Sequence, residues 1–209
     1  MELQEAARTM GTCRFYTTDP VPDDVLARAI DAARFAPTGG NRQGVRFVVV
    51  KDEAKRRQVA EWYLPLWESY IGAVGDIGAA PAMVRNADHF ARHLGDIPVL
   101  VVVCARLGDL YATDLKLDRL TVVGGCSIYL SVQNFLLGCR EQGLGTAVTT
   151  LLCQSEPQVK ELLAIPDEFL TAAHIAVGWP ERPFPTKLNR RPLSDVAFLD
   201  SFGTALPGA

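Results

Sequence analysis

The hydrophobic residues of this chain change their spacing several times, and each change marks an element. Val25, Leu26, Ala29, Ile30 and Ala33 recur at helical spacing and form one apolar stripe. The preceding Val21-Pro22-Asp23-Asp24 predicts where that helix starts. Proline suits the first turn, and the aspartates complement the positive helix end. Pro37, Gly39 and Gly40 predict its end. Phe47 to Val50 is apolar without alternation, which predicts a strand covered on both faces. Asp52 to Tyr63 reads as a second helix, with Pro65 kinking or breaking its continuation. Pro98 to Cys104 is another central strand. From Val122 to Gln142, apolar residues cover most of the circumference of a long helix. Such a helix should be buried on most sides, in a large core or at a subunit interface. Gly143-Leu144-Gly145 is its stop. Thr146 to Leu151 predicts a β-branched strand, Pro157 to Leu163 a short helix, and Thr171 to Val177 a further strand. Strands and helices alternate, but not as regular βαβ units. The predicted class is therefore α+β: one central mixed β-sheet flanked by helices on both faces.

Length and composition narrow the picture. A chain of 209 residues can bury a substantial core, and no linker or internal repeat divides it, so a single domain over 1–209 is expected. From about Pro180, proline and arginine replace any periodicity, which predicts an extended arm over about 181–209. A net charge of −3 offers no basic excess for nucleic acid and no polybasic segment for a membrane surface. The apolar runs fall far short of the roughly 20 residues of a membrane span. Met1-Glu2-Leu3-Gln4-Glu5 lacks the order of a signal peptide. The five cysteines (Cys13, Cys104, Cys126, Cys139, Cys153) are scattered, with no Cys-x-x-Cys. They read as reduced, mostly buried thiols, and a cytoplasmic location is the expectation.

Several kinds of chemistry have no motif here. Neither a Ser-His-Asp set, a paired-carboxylate element, a P-loop nor a Gly-x-Gly-x-x-Gly turn is present. His89 and His93 are four apart, with Asp88 and Asp96 near, but no third ligand motif accompanies them. With Arg85 and Arg92 beside them they read as a solvated, mobile segment, and no metal site is expected. Trp62, Tyr63, Trp67 and Tyr70 cluster around Pro65, either as core or as the roof of a pocket for a planar molecule.

Four short segments carry a family pattern. Thr12-Cys13-Arg14-Phe15-Tyr16, followed by Pro20-Val21-Pro22, is similar to the Arg-Arg-Ser-x-Arg element of the nitroreductase-like flavoproteins. Thr12 stands at its serine and Arg14 at its last arginine, while Met10 and Gly11 stand where the family usually carries basic residues. Ala36 to Gln43 resembles Ala-Pro-Ser-x-x-Asn-x-Gln-Pro, with Thr38 for serine, Asn41 and Gln43 matching, and Gly44 in place of the final proline. Gly125 to Tyr129, Gln133-Asn134 and Gly143 to Thr146 look like the family's dimer helix and the strand after it, continued by Val148-Thr149-Thr150. Arg190-Arg191-Pro192-Leu193 resembles its C-terminal signature.

The resemblance implies FMN bound at the interface of a nitroreductase-like homodimer with an extended C-terminal arm. It assigns Thr12, Cys13, Arg14, Arg190 and Arg191 to the phosphate and ribityl chain, and Thr38, Asn41, Gln43, Val148, Thr149 and Thr150 to the ring and its surroundings. Arginine suits a phosphate because its fork is geometrically matched to it. Asn41 and Gln43, two apart, would lie on one side of an extended segment, or else cap turns. No catalytic side chain is implied, because the flavin carries the chemistry. The implied activity is an FMN-dependent NAD(P)H oxidoreductase of nitroreductase type. It would reduce a small planar acceptor (nitroaromatic, quinone or enone) by ping-pong transfer, with NADH or NADPH as donor. The alternatives are reductive dehalogenation, flavin fragmentation, or a flavin-binding dimer without turnover.

Overall fold

A computed structural model of the chain describes residues 1–72 and 75–209. In chain order the helices and strands are α1 (Leu3–Thr9), α2 (Asp23–Arg34), β1 (Val45–Val50), α3 (Glu53–Tyr70), α4 (Ala82–Arg92), β2 (Val99–Arg106), α5 (Cys126–Glu141), β3 (Gly145–Thr149), α6 (Glu156–Leu163) and β4 (Phe169–Gly178). The four strands form one sheet in the order β1-β2-β4-β3. All three pairings are antiparallel. Parallel character is confined to an isolated bridge between Thr12 and Thr146, outside the named strands.

β2 explains why the sheet needs cover on both faces. Its residues Val99 to Ala105 are all buried. Val99, Val101, Val103 and Ala105 face a core shared with Leu26, Ala29 and Ala33 of α2 and Ile128, Val132 and Phe135 of α5. Leu100, Val102 and Cys104 face the other core, with Val59, Tyr63 and Trp67 of α3, Phe90 of α4 and Val159 of α6. Side chains alternate along a strand, so a run apolar at every position must be covered twice. α2 and α5 approach closely at Gly138, where a Cβ would lie 3.0 Å from both Cα and O of Ala29.

Three elements depart from the sequence expectation. α3 runs through Pro65 to Tyr70 without stopping. Tyr63 and Trp67, one turn apart on either side of the proline, are both buried, and their packing outweighs the lost backbone bond. α5 begins at Cys126 rather than Val122. The segment around His89 is a helix packed by Ala87, Asp88, Phe90 and Ala91 rather than a solvated stretch. Asp88 tolerates burial because Trp67 Nε1 donates to it at 3.0 Å and Arg92 Nε at 2.9 Å.

α5 turns Ile128, Val132, Phe135 and Cys139 inward. It leaves Tyr129 at 47% and Leu130 at 43% exposed, with Cys126 and Gln133 also outward. The chain itself therefore covers only one side of this helix. No described helix is long and apolar enough to cross a membrane. All five cysteines are free thiols.

Candidate functional site

The family-like residues fall into two groups. The first is the turn before β1. Gly40, Asn41 and Gln43 have φ of 60°, 54° and 52°. The segment is thus a left-handed turn, not the extended run that the two-residue spacing suggested. Two non-glycine residues there each carry a strain of order 1–3 kcal/mol, which must be held by surrounding bonds. Those bonds join the three expected residues to one another: Gln43 N donates to Thr38 Oγ1 at 3.1 Å, and Gln43 Nε2 donates to Asn41 Oδ1 at 3.1 Å. Gly39 N donates to Ser127 Oγ at 3.1 Å, which ties the turn to the first residues of α5. Thr38 and Gln43 line a depression of about 240 Å³ with Arg34, Arg46, Phe47 and Ser131.

The second group lies against β3. Cys13 N donates to Thr146 O at 2.8 Å, and Thr12 bridges Thr146. Gly145 permits this approach, since a Cβ there would lie 2.7 Å from Cys13 Sγ. Burial pushes the Cys13 thiol up, so it is a packed side chain and not a reactive one. The Arg14 guanidinium lies 5.0 Å from the centre of the Phe90 ring. Buried Tyr63 of α3 comes close to both Arg14 and Thr149. Val148 and Thr150 are exposed beside Thr149 on this edge of the sheet.

Arg190 and Arg191 are exposed on the arm, and the one hydrogen bond of the Arg190 side chain goes to Asn189 O. The structure does not join them to Arg14. It does bring the arm to the second group, because Pro185 and Leu188 lie directly over Gly11. Glu181 N also donates to Phe15 O at 3.1 Å. Among the described residues, no carboxylate pairs with Arg14, Arg182, Arg190 or Arg191.

The sequence reading missed Arg182 and Asn86, which line one cavity of about 290 Å³ together with Thr12, Cys13 and Arg14. Asn86 sits on α4, a helix that the sequence pattern did not reveal. Arg182 stands between Pro180 and Pro183, and that placement in a stiff run was the available signal. The His89 and His93 rings stack at 4.2 Å, and among the described residues no group of three or more His, Cys, Asp or Glu side chains is gathered as metal ligands would be. Burial, then the neighbouring His93 and Arg182, hold the His89 pKa below its ordinary value.

The two groups stand at diagonal corners of one sheet. The turn precedes Val45, which pairs with Ala105, itself paired with Leu170. Thr12 meets Thr146, which pairs with Val177. At usual strand spacings the corners are about 14 Å apart across the sheet and about 24 Å along it. Thr149, paired with His174, lies nearer the turn along the sheet than Thr146 does, but still three strands across from it.

This is the architecture of an α+β sandwich whose candidate ligand residues occupy separate edges. The chain belongs to the nitroreductase family, whose model matches residues 8–179. Among curated proteins it is 27% identical over 180 residues to the 5,6-dimethylbenzimidazole synthase of Rhodospirillum rubrum, covering 82% of this chain and 80% of that one. It is 25% identical over 182 residues to rat iodotyrosine deiodinase 1, covering 87% of this chain and 63% of that protein. A crystal structure of oxidised iodotyrosine deiodinase bound to FMN and 3-iodo-L-tyrosine superposes with a TM-score of 0.71 at 23% identity, covering 91% of this chain and 96% of that one.

Proposed function

We propose that the protein is an FMN-dependent oxidoreductase, formed as a homodimer in which each flavin is held by the β3 corner of one protomer and the strained turn of the other. The observation that carries this reading is the pairing of opposites. The β3 corner offers guanidiniums that no carboxylate pairs with among the described residues, and the distant turn offers Asn and Gln side chains locked in a strained loop. Ser127 ties that turn to the N-terminal end of α5, and Thr9, bonded to Arg140, ties the other corner to its C-terminal end. α5 is about 24 Å long, which matches the offset of the corners along the sheet. Two α5 helices packed antiparallel about a twofold axis would set each turn against the partner's β3 corner. The exposed stripe of Cys126, Leu130 and Gln133 supplies the packing face.

Arg14 and Thr12 suit the phosphate, with Arg190 and Arg191 reaching it from the arm. Thr149 and Thr150 edge the ring on one side, and Thr38, Asn41 and Gln43 offer hydrogen bonds from the other. FMN held there would supply the two-electron chemistry between NADH or NADPH as donor and a planar acceptor such as a nitroaromatic, quinone or enone. The chain itself orients the ring and excludes water. The aromatic side chains of α3 suit a planar guest over the ring.

The test is reconstitution followed by stopped-flow. The purified protein should carry or take up FMN, and NADH or NADPH should bleach the flavin band. A protein that takes up no FMN refutes the flavin reading. A flavoprotein that neither nucleotide reduces leaves the reactions represented by its deiodinase and synthase relatives as the better class.

A further inference from the structure

The cavity beside Thr12 raises a question of charge that the family pattern leaves open. Met10 and Gly11 occupy the places where relatives usually put basic residues, so one phosphate cation is absent from the N-terminal element. Position 11 has no room for one: a Cβ at Gly11 would lie 2.9 Å from Pro185 Cγ and 3.5 Å from Leu188 Cδ2. The arm itself occupies the space. It also brings a replacement.

We propose that Arg182 supplies the missing cation, and that the cavity lined by Thr12, Arg14, Asn86 and Arg182 is the phosphate end of the flavin site. This rests on the FMN reading above. The first observation is that two guanidiniums line one cavity and neither has a carboxylate partner among the described residues. Two unneutralised cations gathered in one concavity repel each other unless an anion joins them. A hydroxyl from Thr12 and an amide from Asn86 complete a donor set suited to phosphate oxygens.

The second observation is that Arg182 is held in place rather than waving from a tail. Its guanidinium carbon lies 3.5 Å from the centre of the Phe15 ring. Phe15 stacks on His89 at 4.7 Å, and His89 stacks on His93 at 4.2 Å. Cation–π contact on a backed ring fixes the plane of the fork while leaving its edge free to donate. On the other side of the arm, Phe184 sits under the Arg140 guanidinium at 3.9 Å. The acidic neighbours Glu181 and Asp96 line an adjoining cavity, which Arg14 also borders, and not this one.

The experiment compares FMN with riboflavin, which lacks the phosphate. Apoprotein, Arg182→Gln, Arg182→Lys and Arg14→Gln are titrated with each flavin, following its fluorescence. Arg182→Gln should weaken FMN by roughly ten- to a hundred-fold, the usual cost of a charge-assisted hydrogen bond, and leave riboflavin unchanged. Arg182→Lys should fall between, since it keeps charge but loses the stacked fork. Arg14→Gln calibrates the loss at the position that the family pattern assigns. Equal weakening of both flavins by Arg182→Gln would make Arg182 a prop for the arm and overturn the proposal. So would wild-type affinity for FMN in that variant, and the flavin reading would then still stand. A wild-type chain that binds neither flavin refutes both.

Discussion

His174 is the most acid-sensitive group in the core. It lies in β4, paired in register with Val102 on one side and Thr149 on the other, and it is fully buried. Neither ring nitrogen has a hydrogen-bond partner. Burial alone pushes its pKa from the ordinary 6.5 down to about 4. The folded chain therefore refuses a proton that the unfolded chain accepts between those values. That difference amounts to about 3 kcal/mol when the pH has fallen below 4, and about 2 kcal/mol of it is already lost at pH 5. The contribution is fully present above pH 6.5 and disappears as pH falls through 4. His174→Leu removes the titration and the unpaired nitrogens together. The variant should match or exceed wild-type stability at pH 7.5, by about 1–2 kcal/mol, because no buried polar atom is left unsatisfied. At pH 5 its advantage should grow by about a further 2 kcal/mol. Urea unfolding at both pH values, at one protomer concentration and one flavin occupancy, measures this. Other titrating groups are common to the two proteins and cancel in the difference. Parallel stability curves between pH 4 and 6.5 would refute the reasoning, because His174 would then be titrating as freely folded as unfolded.

Three further changes probe packing and assembly. Gly138→Leu drives a side chain into the Ala29 backbone and should lower stability by about 2–3 kcal/mol, read as a fall in melting temperature, unless α2 shifts away at little cost. Trp67→Phe keeps the ring but leaves Asp88 Oδ1 without its donor. It should cost about 1–3 kcal/mol and speed amide exchange over 82–92 more than over β2. Removing residues 189–209 takes away Val196, Leu199 and Phe202, the last 94% exposed in one protomer. If the arm embraces the partner, sedimentation should report dimer association weakened at least about tenfold, and an unchanged dimer would place the arm elsewhere.

The parts of this fold legible in the sequence were those whose burial is monotonous. β2 is apolar from Val99 to Ala105 because both faces are covered there, and the α2 stripe is regular because one face packs on α5. α4 escaped notice because its buried face is interrupted by Asp88. That carboxylate is compatible with a core only through Trp67 and Arg92, and neither bond is visible to a periodicity argument. α3 was cut short for a related reason: proline reads as a stop unless the burial of Tyr63 and Trp67 across it is known. His174 illustrates the reverse. Its strand was legible, but nothing in a run of β-formers tells that a histidine sits in the middle of the sheet without a partner.

For the candidate site the sequence pattern named residues but not the geometry that relates them. The segment from Thr12 to Arg14 is held by backbone bonds to Thr146, a partner far along the chain, so its place at the β3 corner follows from the fold alone. The turn at Asn41 and Gln43 offered a spacing of two, which suits an extended strand, but the chain takes a left-handed turn there. Such strain is kept when the surrounding contacts demand it, and within the chain those contacts include Thr38, Ser127, the pair itself and Arg46, whose Nη1 donates to Gln43 O at 2.7 Å. The turn is exposed at residues 39–43, so its own side chains gain nothing from a core. In the proposed homodimer a twofold partner would supply the missing reason. It would place the strained amides against a flavin held at the opposite corner of the other protomer, so that the turn's conformational cost and the open face of α5 are both offset by one association.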